Sequence, residues 1–137
     1  MIVQHDEHAR MFVEKILGCH IHEPYCGLLF YDPNLTNGIY AAVVVNCYDR
    51  WECRLTIVSN GPWSVHDARE LARYVFATND CHRVTVETPV GNKRARRILE
   101  ALVFRIEGLK RQGSRHGDLL MYGLLRAEQK LIKCDIH

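Results

Sequence analysis

The stretch from Cys81 to Gly108, CHRVTVETPVGNKRARRILEALVFRIEG, constrains the chain more than any other. Val84-Thr85-Val86-Glu87-Thr88 is a β-branched run that reads as a strand. Pro89, Val90 and Gly91 end it. Asn92 is placed to cap a helix over Lys93 to Leu102, because its short side chain can accept from a free first-turn amide. Ala95, Ile98, Leu99 and Leu102 fall on one face of that helix. Phe104-Arg105-Ile106-Glu107-Gly108 follows as a second strand. The unit is strand, helix, strand, and it places the chain in the α/β (α+β) class.

The segments before it supply more strands and two more helices. Asp6 to Gly18 predicts a helix with a broad apolar face of Met11, Phe12, Val13, Ile16 and Leu17, and Gly18 is its stop. Cys19 to Tyr25 is irregular, with Pro24 as a breaker. Gly27 to Tyr31 is a short strand, and Asp32-Pro33-Asn34 and Thr36-Asn37-Gly38 are turn signals. Ile39 to Tyr48 is the longest β-like run. With a tight turn at Asp49-Arg50 and a return over Trp51 to Ser59, it makes an antiparallel hairpin. Asn60-Gly61-Pro62 is a loop. Ser64 and Asp67 form an acidic capping box, and a helix runs on to about Thr78 with Val65, Ala68, Leu71, Ala72, Val75 and Phe76 on its apolar side. Past the central unit, Lys110 to Gly117 reads as a polar basic loop, Asp118 to Arg126 as the last strand, and Ala127 onward as a fraying tail.

The 137 residues are expected to form one domain, 1–137, with a core that needs no disulfide. A net charge of +2 is too small to argue for nucleic acid by itself. No apolar run approaches the roughly 20 residues that span a bilayer, so no membrane partner is expected. The start, MIVQHDEHAR, lacks the apolar centre of a signal peptide. Six cysteines without such a signal point to free thiols in a reducing, cytoplasmic compartment.

Several spaced residues together resemble the GNAT superfamily of acyl-CoA-dependent N-acetyltransferases. They are Asn92, Ala95 three residues on, Val103-Phe104 closing the helix, and Glu107-Gly108 after it. A last strand with Asp118, Tyr122 and the ending Leu124-Leu125-Arg126 adds to them. The likeness covers about residues 27–128 and is nearest to the branch of ribosomal-protein N-terminal acetyltransferases, among short members of the kind found in proteobacteria and their phages. It implies a mixed central sheet, an antiparallel hairpin followed by two helix-strand units. It also implies transfer of an acetyl group from acetyl-CoA, as co-substrate, to a protein N-terminus, a lysine or a small amine by direct attack. The cofactor-binding positions it implies are Ile57, Val58, Ser59, Gly61, Trp63 and Ser64 after the hairpin, and Asn92, Arg94, Ala95 and Arg97 at the second helix start.

The chain departs from the family pattern at informative positions. The pyrophosphate signature Gln/Arg-x-x-Gly-x-Gly/Ala falls on Ser59, Pro62 and Ser64; Pro62 has no N–H to offer a phosphate. Leu99 stands where many members carry the tyrosine that protonates the leaving thiolate, and Val103 where they carry glycine. Tyr122 and Glu52 are the catalytic candidates in its place, with His66 and Cys53 as further titratable side chains. These departures keep an alternative open, a catalytically degenerate GNAT-fold binding or inhibitory protein. Asn92 either bonds the cofactor's amide chain or caps the helix, and the cap alone accounts for it.

Lys93, Arg94, Arg96 and Arg97 crowd a helix start, where cations oppose the macrodipole. They read either as an anion seat or as a solvated face in which Glu100 pairs with Arg96. A nucleic-acid surface built from Arg94, Arg96, Arg97, Lys110, Arg111 and Arg115 ranks last, since no aromatics are interleaved. Cys19, His20, His22 and Cys26, with Cys134 and His137 as possible additions, lack the spacing of a zinc knuckle and read as a histidine-rich loop; no metal is assigned. Edge strands could pair two copies into a homodimer, though nothing demands it.

Overall fold

A computed structural model of the chain describes residues 2–34, 38–59 and 63–133. The expected turn at Thr36-Asn37, the loop Asn60-Gly61-Pro62, and Cys134 and His137 lie outside them. The described residues form seven strands and three helices: β1 Ile2–Gln4, α1 Asp6–Leu17, β2 Tyr25–Tyr31, β3 Ile39–Asn46, β4 Glu52–Ser59, α2 Val65–Ala72, β5 Arg83–Pro89, α3 Lys93–Ala101, β6 Arg105–Ser114 and β7 Gly117–Leu125. One mixed sheet runs in the order β1-β2-β3-β4-β5-β7-β6. All neighbours pair antiparallel except β4 and β5, which are parallel.

The helices start and stop where local chemistry puts them. His5 caps α1 by accepting from the His8 amide, and Gly18 ends it in the left-handed region at φ 64. Its buried side is Ala9 and Val13, with Phe12 and Leu17 half-buried, and it rests on β2 and β3. Met11 and Ile16, expected on the apolar face, are exposed, because the stripe that meets the sheet steps by four from Ala9 to Val13 to Leu17. The Ser64–Asp67 capping box opens α2. Beyond Ala72 the helix widens into a π-helical segment, Arg73–Thr78, which keeps Val75 and Phe76 both in the core. Val65, the first residue of α2, points to solvent.

Two layers of core result. One lies between the sheet and α2 with α3, and includes Leu28, Phe30, Val43, Leu55, Leu71, Phe76, Val86, Leu99 and Tyr122. The other lies under α1, from Ala9 and Val13 to Leu29, Val44 and Val58. Gly27 is where α1 comes closest to the sheet: a Cβ there would stand 2.5 Å from Ala9 Cβ and 2.8 Å from the Asp6 carbonyl oxygen.

Residues 110–117 correct the sequence reading. They are not a loop: β6 continues to Ser114, pairs with β7 through Lys110↔Leu119 and Ser114↔Gly117, and turns only at Arg115-His116. The polar composition is that of an edge strand whose partner supplies the ladder. β1, which the sequence reading leaves out, exists for the same reason, pairing Ile2↔Phe30 to Gln4↔Leu28. β3 stops at Asn46, two residues before the expected end, because Cys47 adopts φ 54; Arg50 at φ 72 completes the turn. There the Asp49 carboxylate accepts from the Trp51 and Glu52 amides.

Candidate functional site

The parallel pair β4 and β5 is zipped at one end only. Its ladder runs Glu52↔Arg83, Cys53↔Val84, Arg54↔Thr85 and Leu55↔Val86, and stops. β4 continues to Ser59 paired with β3, and β5 continues to Pro89 paired with β7. Thr56 to Ser59 and Glu87 to Pro89 therefore have no strand pairing to each other. This parting stands at the carboxyl ends of parallel strands, where open α/β sheets hold ligands.

Both following helices begin beside it. At α2, Trp63 lies over Phe30 with ring centroids 4.7 Å apart, and its indole N–H is buried with no acceptor among the described residues. Ser64 then caps the helix, and its amide donates to Asp67 Oδ2 at 3.0 Å while Asp67 N donates to Ser64 Oγ at 3.1 Å. The Tyr40 hydroxyl, from β3, donates to Asp67 Oδ1 at 2.6 Å. Burial raises the Asp67 pKa, but the hydrogen bonds from Tyr40 and Ser64 outweigh it and hold the carboxyl below its ordinary range. The same contact, with desolvation first, pushes the Tyr40 phenol upward.

At α3, Asn92 Oδ1 accepts from the Ala95 amide at 3.2 Å, the cap the sequence predicts. Lys93, Arg94 and Arg97 are exposed on the first turns. Arg96 is committed inward: Nη1 donates to the Val90 carbonyl at 3.0 Å and Nε to the Tyr122 hydroxyl at 3.3 Å. That hydroxyl donates in turn to Glu100 Oε1 at 3.2 Å. Arg96 and Glu100 thus meet on Tyr122 rather than on each other. Tyr122 is fully buried on β7 opposite Val86, the last rung before the strands part. The helix closes with Val103 N donating to Glu100 O and Phe104 N to Leu99 O, a Schellman pattern with Val103 at φ 64.

The sheet face opposite α3 carries a charged network. Glu87, just past the last β4–β5 rung, bonds Arg54 at 3.1 Å and Lys110 at 3.2 Å. Nearer the zipped end, Arg83 bonds Glu52 at 2.9 Å and also Glu107, whose carboxylate lies over Gly123 where any Cβ would meet it.

The structure therefore brings Ile57, Val58 and Ser59 on β4, Trp63 and Ser64 before α2, and Asn92, Arg94, Ala95 and Arg97 on α3 to the same end of the sheet. Gly61 lies outside the described residues. Glu52 stands at the other, zipped end of β4, bound to Arg83. His66 is exposed on the first turn of α2, and Cys53 is buried against Cys81, its thiol pushed up by that contact and by burial. Among the described residues no group of three or more metal-ligating side chains converges. His20 instead sits 3.1 Å from Glu14 and packs edge-on against His22. Glu87 and the Tyr40–Asp67 clamp are absent from the sequence reading. The only signal for Glu87 is its place on the polar side of an alternating strand, and the clamp joins residues 27 apart.

The parted parallel pair, its flanking helices and the strand order belong to the GNAT fold. A chimeric spermidine N-acetyltransferase of Vibrio cholerae superposes with a TM-score of 0.73 at 11% identity, over 93% of this chain and 96% of that one. A ribosomal-protein-S5-alanine acetyltransferase from Vibrio fischeri gives 0.65 at 14%, over 77% and 64%. A structure named only as an acetyltransferase gives 0.66 at 19%, over 78% and 60%. The chain thus spans less than two thirds of the length of the latter two. No protein-family model matches the sequence, and no curated protein does. No helix among the described residues is long and apolar enough to cross a membrane.

Proposed function

We propose that this chain is an N-acetyltransferase that takes its acetyl group from acetyl-CoA and passes it to a primary amine. The observation that carries the reading is the β4–β5 pair that parts after Leu55 and Val86, open between two helix starts. Acetyl-CoA, when bound, supplies an acyl group activated as a thioester. The pantetheine arm of the cofactor is an amide chain, and it fits a gap between strand edges that lack pairing to each other. Ile57, Val58 and Ser59 would hold it along β4, and the indole N–H of Trp63, which has no acceptor among the described residues, offers a donor. Asn92 and the small Ala95 border the other side, and Arg94 and Arg97 add positive charge. The diphosphate end does not fit equally well, because the Ser64 amide already serves Asp67.

The amine is read as arriving over the charged face, where the Glu87 carboxylate, already paired with Arg54 and Lys110, would hold its ammonium form. On attack the new C–N bond would replace the thioester C–S bond, and the proton the amine gives up would end on the departing thiol. Tyr122 holds α3 at the rung where the strands part, through Arg96 and Glu100, and is assigned no proton transfer. Glu52 has no step in this scheme, because it stands at the zipped end of β4, away from the gap. A protein N-terminus, a lysine side chain and a polyamine are all primary amines of the required class, and the cytoplasm is the compartment that holds them with acetyl-CoA.

A second reading, a GNAT-fold module that binds without transferring, is favoured by the aliphatic, buried Leu99. One experiment separates the two. The protein is melted with and without acetyl-CoA, and free thiol is followed while peptides, lysine and spermidine are offered. Saturation at 100 times the dissociation constant adds about 2.7 kcal/mol of stability. A thermal shift with amine-dependent thiol release supports transfer, a shift without release supports the binding module, and neither sinks both.

A further inference from the structure

The start of α2 is filled with negative charge by the chain itself. A helix start at the mouth of a ligand gap ordinarily presents free N–H groups and the positive end of the helix dipole to a phosphate. Here the Ser64 amide is spent on Asp67 Oδ2, and the Asp67 amide on Ser64 Oγ. The second carboxylate oxygen is clamped by the Tyr40 hydroxyl at 2.6 Å, so the side chain cannot swing away without losing that bond. Asp67 is 6% exposed, and a diphosphate brought to this turn meets a fixed, poorly screened like charge. Among the described residues, the α3 cations do not neutralise it: Arg96 is engaged by Val90 and Tyr122, and Lys93, Arg94 and Arg97 are exposed on α3, as Arg69 is on α2.

We propose that Asp67 is a specificity-determining residue that denies the start of α2 to a diphosphate, so that the acyl donor is selected by its pantetheine arm and its nucleotide end adds little. The inference rests on the acetyl-CoA reading. It widens the donor class to pantetheine thioesters in general, including those that carry no nucleotide. The exposed cations of α3 give the nucleotide end of CoA a weak, salt-sensitive contact.

Calorimetric titration of CoA, pantetheine and 3′,5′-ADP into the whole chain tests this. The wild type is expected to bind CoA and pantetheine within about fivefold of each other, and 3′,5′-ADP not measurably at millimolar concentration. Asp67→Asn, which keeps the side-chain shape and an acceptor oxygen, should tighten CoA about tenfold and leave pantetheine unchanged. If that variant does not fold, Asp67→Ser provides a neutral side chain at the same position for the comparison, and the wild-type ratio needs no variant. CoA binding 100-fold tighter than pantetheine in the wild type, or a neutral variant that leaves both ligands unchanged, overturns the proposal while the acetyl-CoA reading stands. If neither CoA nor pantetheine binds, that reading falls and takes the proposal with it.

Discussion

Replacing Tyr122 with Phe asks what a buried hydroxyl at the parting of β4 and β5 is for. The ring stays, so the packing around a fully buried side chain is conserved. The two hydrogen bonds lost are long, 3.3 Å from Arg96 and 3.2 Å to Glu100. Glu100 is exposed and Arg96 half-buried, so both can turn to water, which keeps the loss toward the low end of 0.5–1.5 kcal/mol per bond. The sum is about 1–1.5 kcal/mol, or roughly 3–6 °C in melting temperature for a domain of this size. Circular dichroism melts and steady-state acetyl transfer read the two consequences. A tether predicts that drop in Tm and less than about tenfold loss in kcat. A general acid predicts a loss of about 10²–10⁴ in kcat with a changed basic limb of the pH profile. An unchanged Tm with a hundredfold loss in kcat would refute the tether.

Three further outcomes follow from the geometry. Gly27→Ala places a methyl group against Ala9 Cβ and the Asp6 backbone, where the Gly27 amide also donates to Asp6 Oδ1 at 2.9 Å; α1 must lift, at about 3–5 kcal/mol, and a denaturant midpoint within error of wild type would contradict that contact. Val103→Gly relieves a β-branched residue at φ 64, about 1–2 kcal/mol of strain, against about 0.4–1 kcal/mol of added chain entropy, so the variant should be more stable by about 0.5–1 kcal/mol in urea, and a loss of stability would count against the Schellman closure. Glu14, chiefly through the Ile21 amide, Asp49, through the Glu52 and Trp51 amides, and Asp67 have folded pKa values held below the ordinary range. Their contribution is complete above the unfolded carboxylate value of about 4 and is lost as pH falls through the lower folded values, so the urea midpoint should be flat from pH 7 to about 5 and fall below about 4; a midpoint that rises on acidification reverses the sign.

What was legible in the sequence is what depends on neighbours a few residues apart. The Asn92 cap and the Ser64–Asp67 box each need only a side chain and an amide within one turn, the Gly18 stop only a left-handed residue whose N–H reaches the Glu14 carbonyl one turn back, and each appears in the structure. The spacing of Asn92, Ala95 and Phe104 carried the fold for the same reason, since it records one helix seated between two strands of a sheet. β6 past Gly108 was not legible, because Arg111, Gln112 and Gly113 look like loop until β7 lies beside them. The parting of β4 from β5 was not legible either: Thr56-Ile57-Val58 has the composition of any paired strand, and only the path of β5 decides whether its second edge is met.

Asp67 shows how one residue can be read correctly at one level and incompletely at the next. As the third residue of a capping box it satisfies the Ser64 amide, and nothing in the sequence asks more of it. The sheet then brings Tyr40 within 2.6 Å of its other oxygen, and that contact turns a cap into a fixed charge at the edge of the gap. As the capping-box partner of Ser64, position 67 only has to accept from the Ser64 amide, which a neutral amide oxygen can also do. The fixed charge asks for more, since only the ionised carboxylate opposes an anion. Neutral substitution at position 67 therefore separates the two roles: it should leave the start of α2 folded while changing which part of the donor the site can feel.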